Sequence, residues 1–209
     1  MRIDKIAAKP DRVGRYRVDL EDGTVMRLYR QTVQDHGLYA GMELTAEQLA
    51  SLRSDSGQMS AKMRAVRIVT ASDVSCADLR QRLIQKGEDP EQASRAVEWM
   101  EELQLVDDRR TAEQIVSRCA AKGYGIARAR QTLYEKRIPK AYWEEALADY
   151  PDQGQHIRQF LQARLGADSD ERERKRAIDA LLRKGHNYSQ IRTALRELDF
   201  DEFQEEWDG

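Results

Sequence analysis

The first 44 residues alternate apolar and polar side chains with a period of two, which is typical of half-buried β-strands. The alternation is clearest over 15–20 and returns over 25–29, after a shorter run at 3–6. Asp22-Gly23 separates the two longer runs and predicts a two-residue hairpin of type I′, whose central residues both need positive φ. The pattern therefore predicts a small β-hairpin module at the N-terminus.

A helix start follows the predicted hairpin. Thr45 and Gln48 stand at the spacing of a capping box, and the apolar positions after them predict a short helix through Leu52. A linker is expected over 53–58, where the sequence is RSDSGQ. The small β-containing module is accordingly predicted to occupy residues 1–57.

From Ser60 onward the apolar spacing is helical, and a three-helix pattern occurs three times. The second helix of each copy ends in Leu-x-x-Lys, at Lys86, Lys136 and Lys184, which are 50 and then 48 residues apart. Apolar residues recur seven and eleven positions after each lysine: Ala93, Val97, Trp143, Leu147, Ile191 and Leu195. A shared period of this kind predicts a mainly α protein of tandem helical repeats. The copies are placed at 58–106, 107–150 and 151–199.

Several predicted helices begin with residues that are favoured at helix N-termini. Ser75 and Asp107 are capping residues that precede an apolar helical run, and Asp89-Pro90 combines a capping acid with proline at the first helical position. Pro139 opens the third helix of the second copy in a similar way. Because Asp107-Asp108 has this structural explanation, we interpret it as a helix cap rather than a metal or catalytic site.

The C-terminal part departs from the repeat. A hydrophilic insertion at 166–171 predicts a longer, flexible turn between the first and second helices of the third copy. Residues 200–209 are predicted to be an acidic tail, in which Phe200, Phe203 and Trp207 would form one apolar stripe on a short helix. We expect this stripe to cap the third repeat, and partner binding is the alternative interpretation.

Charge is unevenly distributed along the chain. The formal net charge is −2, but residues 197–209 contain seven acids and no base, so residues 1–196 have a net charge of +5. A basic body of this kind permits contact with nucleic acid. Cys76 and Cys119 fall in predicted helices and are expected to be buried free thiols. No apolar run has the length of a signal peptide core or a transmembrane helix, so we expect a cytoplasmic protein.

The second copy combines three motifs. LVDDRRTA at 105–112 is followed by Gly123-x-Gly125 and then by a basic helix that ends at Lys136. This series resembles the RecX family of regulatory proteins. Thr111 and Arg137 depart from it, because they stand where the family usually has an aromatic residue and a glycine.

The resemblance extends from Ile3 to about Leu198, since residues 15–44 are similar to the N-terminal part of longer RecX proteins. It implies an elongated, curved array of three-helix repeats. It also implies a non-enzymatic regulator that binds the RecA nucleoprotein filament and inhibits its recombinase, ATPase and co-protease activities in recombination and the SOS response. We expect a monomer with no membrane contact, and direct contact with single- or double-stranded DNA stays open.

Basic side chains in and beside the second helices are the candidate contacts with RecA or DNA. The candidates are Arg80, Arg82, Lys86, Arg128, Arg130, Lys136, Arg137, Lys140, Arg174, Lys175, Arg183 and Lys184. Cations near helix C-termini are also favoured by the helix dipole alone, so simple solvation is the alternative for any one of them. Trp99, Trp143 and Tyr134 have helical spacing and are expected in the core rather than as platforms for bases.

Motifs for catalysis were not found. The sequence has no Walker lysine-serine, no His-Glu-x-x-His and no Cys-x-x-Cys, and His36, His156 and His186 are scattered. We therefore predict no enzymatic activity, no cofactor and no metal. Two alternatives to a RecA regulator stay open: a helix-turn-helix-like regulator that reads DNA bases with the same basic helices, and a helical-repeat scaffold for another protein.

Overall fold

A computed structural model describes residues 1–166 and 169–205 of the chain, without the side chains of 199–205. The chain divides into two compact units, Met1–Val106 and Asp107–Gly209. Each unit has its own hydrophobic clusters, and the two are described separately below.

The first unit begins with a three-stranded antiparallel sheet in the order β1-β2-β3. Its strands are β1 (Ile3–Ile6), β2 (Arg15–Leu20) and β3 (Val25–Tyr29). The alternation predicted from sequence is present, because Val18 and Leu20 on β2 are buried while Arg17 is exposed and Asp19 is half-buried. The sheet confirms the predicted N-terminal β module.

The turn between β2 and β3 differs from the predicted one. Leu20 donates its N–H to Thr24 O at 2.9 Å and accepts the N–H of Gly23 at 2.9 Å, so the loop has three residues. Gly23 has a φ of 81°, whereas Asp22 keeps a negative φ and accepts the Thr24 N–H on its carboxylate at 2.9 Å. The type I′ prediction is wrong, because the Asp22 side chain stabilises an ordinary turn residue and leaves the left-handed step to the glycine.

Two helices follow the sheet, α1 (Arg30–Asp35) and α2 (Ala46–Ala71). α1 lies inside the region predicted to be β. The capping box of α2 is confirmed, since the Thr45 hydroxyl accepts the Gln48 N–H and the Gln48 side chain accepts the Thr45 N–H. The helix then continues through 53–58, so the predicted linker at that place is wrong.

α2 is continuous because both of its halves bury apolar side chains. Leu52 packs into the cluster beneath the sheet, and Ala61 and Ala65 pack into a separate cluster with the helices that follow. Gly57, the one strong helix breaker in the segment, costs about 1 kcal/mol relative to alanine, which burial at both ends of the helix offsets. The proposed boundary at residue 57 stays a prediction, and the helix runs across it.

The first unit is completed by α3 (Cys76–Gln85) and α4 (Pro90–Glu102). Ser75 caps α3 by accepting the N–H of Asp78, and Asp89 caps α4 with proline at its start, as the sequence predicted. The inward positions predicted for α4 are buried, among them Ala93 and Met100, which are fully inaccessible.

The second unit contains six α-helices within the described residues. They are α5 (Asp108–Ala121), α6 (Ile126–Glu135), α7 (Trp143–Leu147), α8 (Gln153–Gln162), α9 (Glu171–Arg183) and α10 (Tyr188–Glu205). A 3₁₀ turn at Lys140–Tyr142 precedes α7. One hydrophobic cluster joins α5 to α7 and another joins α8 to α10, which confirms the tandem three-helix architecture.

The same C-terminal motif closes the second helix of all three copies. After Lys86, Lys136 and Lys184, the next residue has a left-handed backbone and donates its N–H three residues back, and the residue beyond donates five residues back. The left-handed residue is glycine in the first and third copies, with φ of 88° and 86°, and Arg137 in the second, with φ of 56°. The repeated Leu-x-x-Lys ending is therefore a repeated Schellman motif.

Other expectations concern the ends and the thiols. Cys119 is buried and Cys76 half-buried, and neither forms a disulfide. Residues 167 and 168 of the predicted insertion, and the side chains of Phe200, Phe203 and Trp207, lie outside the described residues. No helix in the described part of the chain is long and apolar enough to cross a membrane.

Candidate partner-binding surface

α6 and the turn after it contain cations that precede and follow an exposed aromatic residue in sequence. Arg130 and Tyr134 are four residues apart and lie on one side of α6, whereas Arg137 lies in the turn beyond the end of the helix. Tyr134 is 71% exposed, and its predicted place in the core is wrong. Ala129 and Leu133 form the buried stripe of α6, and the next residue on a helix points about 100° away from it. Trp99 and Trp143 pack against the cores as expected.

Acidic neighbours balance part of the charge of α6. Arg128 donates to the Gln131 side chain at 3.2 Å and lies 4.0 Å from the Glu135 carboxylate. Arg130 pairs with Glu144 at 3.0 Å. Pairs as exposed as these contribute at most about 1 kcal/mol each, so a ligand with its own negative charges can displace them.

Arg137 and Lys140, which follow α6 in the chain, differ from the arginines on the helix. Both are exposed, and neither has an acidic partner within 4 Å among the residues that the structure describes. Arg137 is held in its left-handed conformation by the Schellman bonds, in which its N–H donates to Tyr134 O at 2.9 Å and the Ile138 N–H donates to Leu133 O at 3.0 Å. These two cations are therefore available to a ligand.

The turn between α5 and α6 is a joint to the third copy. Gly125 donates its N–H to Lys184 O at 2.8 Å, and the His186 ring Nε2 lies 3.1 Å from Gly123 O. Gly125 is buried, and a Cβ there would lie 2.0 Å from Gly185 O. A Cβ on Gly185 would lie 2.5 Å from the Arg128 N, so the two glycines permit direct contact between backbones. The sequence predicted a turn here, but nothing in it indicated a joint.

His186 lies at the centre of this joint. It is 6% exposed, and its Nδ1 atom is buried without a hydrogen-bond partner. Burial lowers the pKa of His186 below 6.5, against the hydrogen bond to Gly123, and the charge of Lys184 and the ring of His156 lower it further. The neutral ring donates from Nε2 to the carbonyl, so the joint is most stable when His186 carries no charge.

The joint brings basic residues of two copies together. Arg128, at the start of α6, lies against Gly185, next to Arg183 and Lys184 at the end of α9. The Lys184 ammonium lies 5.3 Å from the centre of the Phe160 ring, a cation–π contact. Arg174 and Lys175 lie nearer the start of α9, more than two turns from its end.

The first-copy candidates belong to the first unit. Arg80 donates to the Ser94 hydroxyl at 2.8 Å, and Arg82 pairs with Asp78 at 2.9 Å. Arg82 and Lys86 also line a cavity beside the N-terminal sheet. Their surroundings are therefore different from those of the cations on α6.

Asp107 has the role expected from the sequence. Its carboxylate accepts the Arg110 N–H at 3.1 Å at the start of α5, which makes it a helix cap. Among the described residues, no group of three or more His, Cys, Asp or Glu side chains could hold a metal ion.

A family model and individual relatives both match this chain, and they have the same family name. Residues 107–147 match the family model described as RecX, second three-helix domain. A RecX regulatory protein of Trichlorobacter lovleyi is 30% identical over 138 residues, which cover 62% of this chain and 90% of the relative. That of Clostridioides difficile is 25% identical over 209 residues, covering 97% of each chain.

Solved structures share the fold. A crystal structure of the regulatory protein RecX covers 93% of this chain and 98% of its own, with a TM-score of 0.63 and 21% identity. A RecX structure from Lactobacillus salivarius covers 69% of this chain with a TM-score of 0.60. From the repeated three-helix units, the second-copy match and the similarity to relatives along their length, we conclude that the chain belongs to the RecX family of regulatory proteins.

Proposed function

We propose that this protein binds the RecA–DNA filament and inhibits RecA recombinase, ATPase and co-protease activities. Membership of a family of regulatory proteins supports a regulatory role, and the name of that family points to RecA as the partner. The observation that carries the proposal to particular residues is the exposed α6 face, in which Arg130 and the exposed Tyr134 lie on the helix and Arg137 lies in the turn that follows it.

This face has the chemistry of a protein–protein contact. Tyrosine and arginine are among the residues most enriched at positions that dominate binding energy, because they bury a large area and also form hydrogen bonds. Arg137 and Lys140 have no acidic partner among the described residues, so they can pair with carboxylates of a protein or phosphates of DNA without first losing an internal bond. The joint at Gly125 holds the end of α9 against the start of α6.

The proposal includes the setting of this activity. The protein acts in the cytoplasm, where RecA filaments form on chromosomal DNA, and it acts as a monomer. It works by binding and without catalysis, so it requires no cofactor. Its effect is therefore expected to saturate at a fixed ratio of regulator to filament.

Base reading by a helix-turn-helix module is disfavoured for the second copy. In such modules the N-terminal residues of the recognition helix enter the major groove. Here the N-terminus of α6 is covered, since Gly125 is buried against Lys184 and Arg128 lies against Gly185. The exposed cations lie at the other end of the helix.

The direct test is RecA-catalysed ATP hydrolysis on single-stranded DNA, titrated with this protein. Inhibition that saturates near stoichiometric amounts is the expected result. Unchanged hydrolysis at a several-fold excess of the protein over RecA would show that RecA is not its target.

The helix-turn-helix alternative is tested by measuring the affinity of the protein for duplex DNA of random sequence and of selected sequence. Affinity that depends steeply on salt and not on sequence is expected if DNA contact goes through phosphates. A preferred site bound at least a thousandfold more tightly than random DNA would favour the sequence-reading alternative.

A further inference from the structure

A strongly basic cavity lies in the first unit, between the β2–β3 sheet and the C-terminal ends of α2 and α3. Its volume is about 500 Å³. Its cations come from three different elements: Arg15, Arg64, Arg67, Arg82 and Lys86. No carboxylate lines it, which is unusual in a chain where acids slightly outnumber bases.

One side of the cavity is a single stripe of α2. Arg64, Arg67, Ile68 and Ala71 follow the spacing i, i+3, i+4 and i+7, which places them along one face of the helix over about 10 Å. This side of the cavity therefore combines cationic side chains with an apolar surface. The hydroxyls of Tyr29 and Ser72 add polar groups at its edges.

Three of the guanidinium groups each form an ion pair with one acidic residue that does not itself line the cavity. Arg64 Nε pairs with Glu88 at 2.8 Å, and Arg64 also donates to Lys86 O at 2.5 Å. Arg82 is held between Asp78 at 2.9 Å and Ser72 at 3.2 Å. Each guanidinium has five N–H donors, so these bonds fix its direction and leave donors for a ligand.

Arg15 is held in the same way by Asp11. Its guanidinium donates to the Asp11 carboxylate from Nε at 3.0 Å and from Nη2 at 2.8 Å. Hydrogen bonds from the Arg15 and Val13 N–H groups and the Arg15 side chain lower the pKa of Asp11 to about 2, so this carboxylate stays ionised. The arginine side chain is therefore ordered before any ligand binds.

The remaining two cations of the cavity, Arg67 and Lys86, form no ion pair with an acidic residue in the described part of the chain. Among the described residues, Arg67 donates to the Tyr29 hydroxyl at 2.5 Å, and neither Arg67 nor Lys86 has an acidic partner within 4 Å. Five cations thus face the cavity with three acids behind them. An excess of positive charge in a partly enclosed site favours an anion with more than one charge.

We propose that this cavity binds successive phosphate groups of a single nucleic-acid strand. A single strand carries one phosphate per nucleotide, and a stripe of about 10 Å is long enough to face at least two of them. Guanidinium forks match phosphate oxygens in pairs, and Ile68 and Ala71 offer an apolar surface to sugars and bases. Since this site is in the first unit, it is separate from the α6 face to which the regulatory function is assigned.

The test is fluorescence anisotropy of a labelled oligothymidylate, about 12 nucleotides long, with the full-length protein over a range of salt concentrations. The variant is Arg67→Gln with Lys86→Gln, which removes the two cations that have no acidic partner and breaks no ion pair. Losing two phosphate contacts lowers the slope of log K against log salt by about 1.4 and weakens binding at least tenfold at low salt. A matched control is Lys5→Gln with Arg53→Gln, the same charge change at exposed positions outside the cavity.

An equal loss of slope in the control and the cavity variant, or no loss in either, overturns the proposal. Competition against the labelled strand identifies the ligand: unlabelled strand should displace it at far lower phosphate concentration than ATP or inorganic phosphate. Displacement by poly-glutamate at the same charge concentration would instead identify an acidic protein segment as the ligand. RecA inhibition by the same variant is measured separately, so failure of this site is distinguishable from failure of the proposed function.

Discussion

Gly125→Ala tests whether the second and third copies are locked together through their backbones. Gly125 has φ −74° and ψ 159°, a conformation that alanine adopts without strain. The cost of the substitution therefore comes only from its surroundings. The new Cβ would lie 2.0 Å from Gly185 O and 2.5 Å from the His186 N, both backbone atoms that cannot rotate away.

The loss of stability in Gly125→Ala can be calculated from the contacts that break when the end of α9 moves away from α6. Moving the end of α9 away breaks the Gly125–Lys184 hydrogen bond of 2.8 Å and the His186–Gly123 contact of 3.1 Å. Each bond contributes about 0.5–1.5 kcal/mol, and overpacking of a close contact costs about 1–3 kcal/mol. We expect the free energy of unfolding to fall by at least about 2 kcal/mol.

Gly123→Ala is the matched control in the same turn. Gly123 has a φ of 62°, so alanine there is strained, but its Cβ would meet the His156 ring at an ordinary 3.5 Å. The expected cost is the left-handed conformation alone, about 1 kcal/mol. Urea unfolding of both variants gives the comparison, and a Gly125→Ala variant no less stable than Gly123→Ala would refute the joint.

Three further predictions follow from the same contacts. Arg137→Gly relieves left-handed strain, and urea unfolding should show a gain of up to about 1 kcal/mol, whereas unchanged or lower stability would contradict the strain. Because the pKa of His186 is lowered below 6.5 in the folded state, the unfolded state binds the extra proton, so stability is full above pH 6.5 and falls as the pH drops through that value towards the lower folded pKa. His186→Gln should flatten this pH dependence in unfolding curves, and an unchanged curve would exclude His186 as its source. Asp107→Ala should cost about 1 kcal/mol by loss of the α5 cap and leave DNA binding unchanged, and a large loss of binding would give Asp107 a direct role.

Helix starts were predictable because their signals are local. Ser75, Asp89 and Asp107 each cap a helix through a bond to an N–H two or three residues along the chain, so residue type and spacing contain the information. The repeat was visible for the same reason, since the Schellman motif and the buried positions recur at matched spacing.

Where tertiary contacts decide the structure, the sequence indicated less. The RSDSGQ segment at 53–58 has the composition of a linker, but burial of Leu52 and Ala61 on either side keeps α2 helical. Tyr134 has helical spacing like a core residue, but the buried stripe of α6 passes through Leu133. The short turns between helices do not show which face of a helix its neighbouring helix will cover.

The candidate sites show the same division. The cations of α6 were found from sequence because they cluster along one helix, and their role as contacts stays a prediction. The cavity of the first unit was missed, since Arg15, Arg67 and Arg82 lie far apart in sequence and only the folded chain brings them together. The backbone contact of Gly125 with Gly185 leaves no signal beyond the two glycines themselves.

The proposed inhibition of RecA depends on the exposed basic face of α6. The most direct measurement compares RecA ATP hydrolysis on single-stranded DNA in the presence of two four-residue charge reversals. One variant changes Arg128, Arg130, Lys136 and Arg137 to Glu, and the control changes the exposed Lys5, Lys9, Arg27 and Arg53 of the first unit to Glu. We predict that the first variant loses inhibition at least tenfold in concentration while the control inhibits like the unaltered protein; equal inhibition by both variants would contradict the claim.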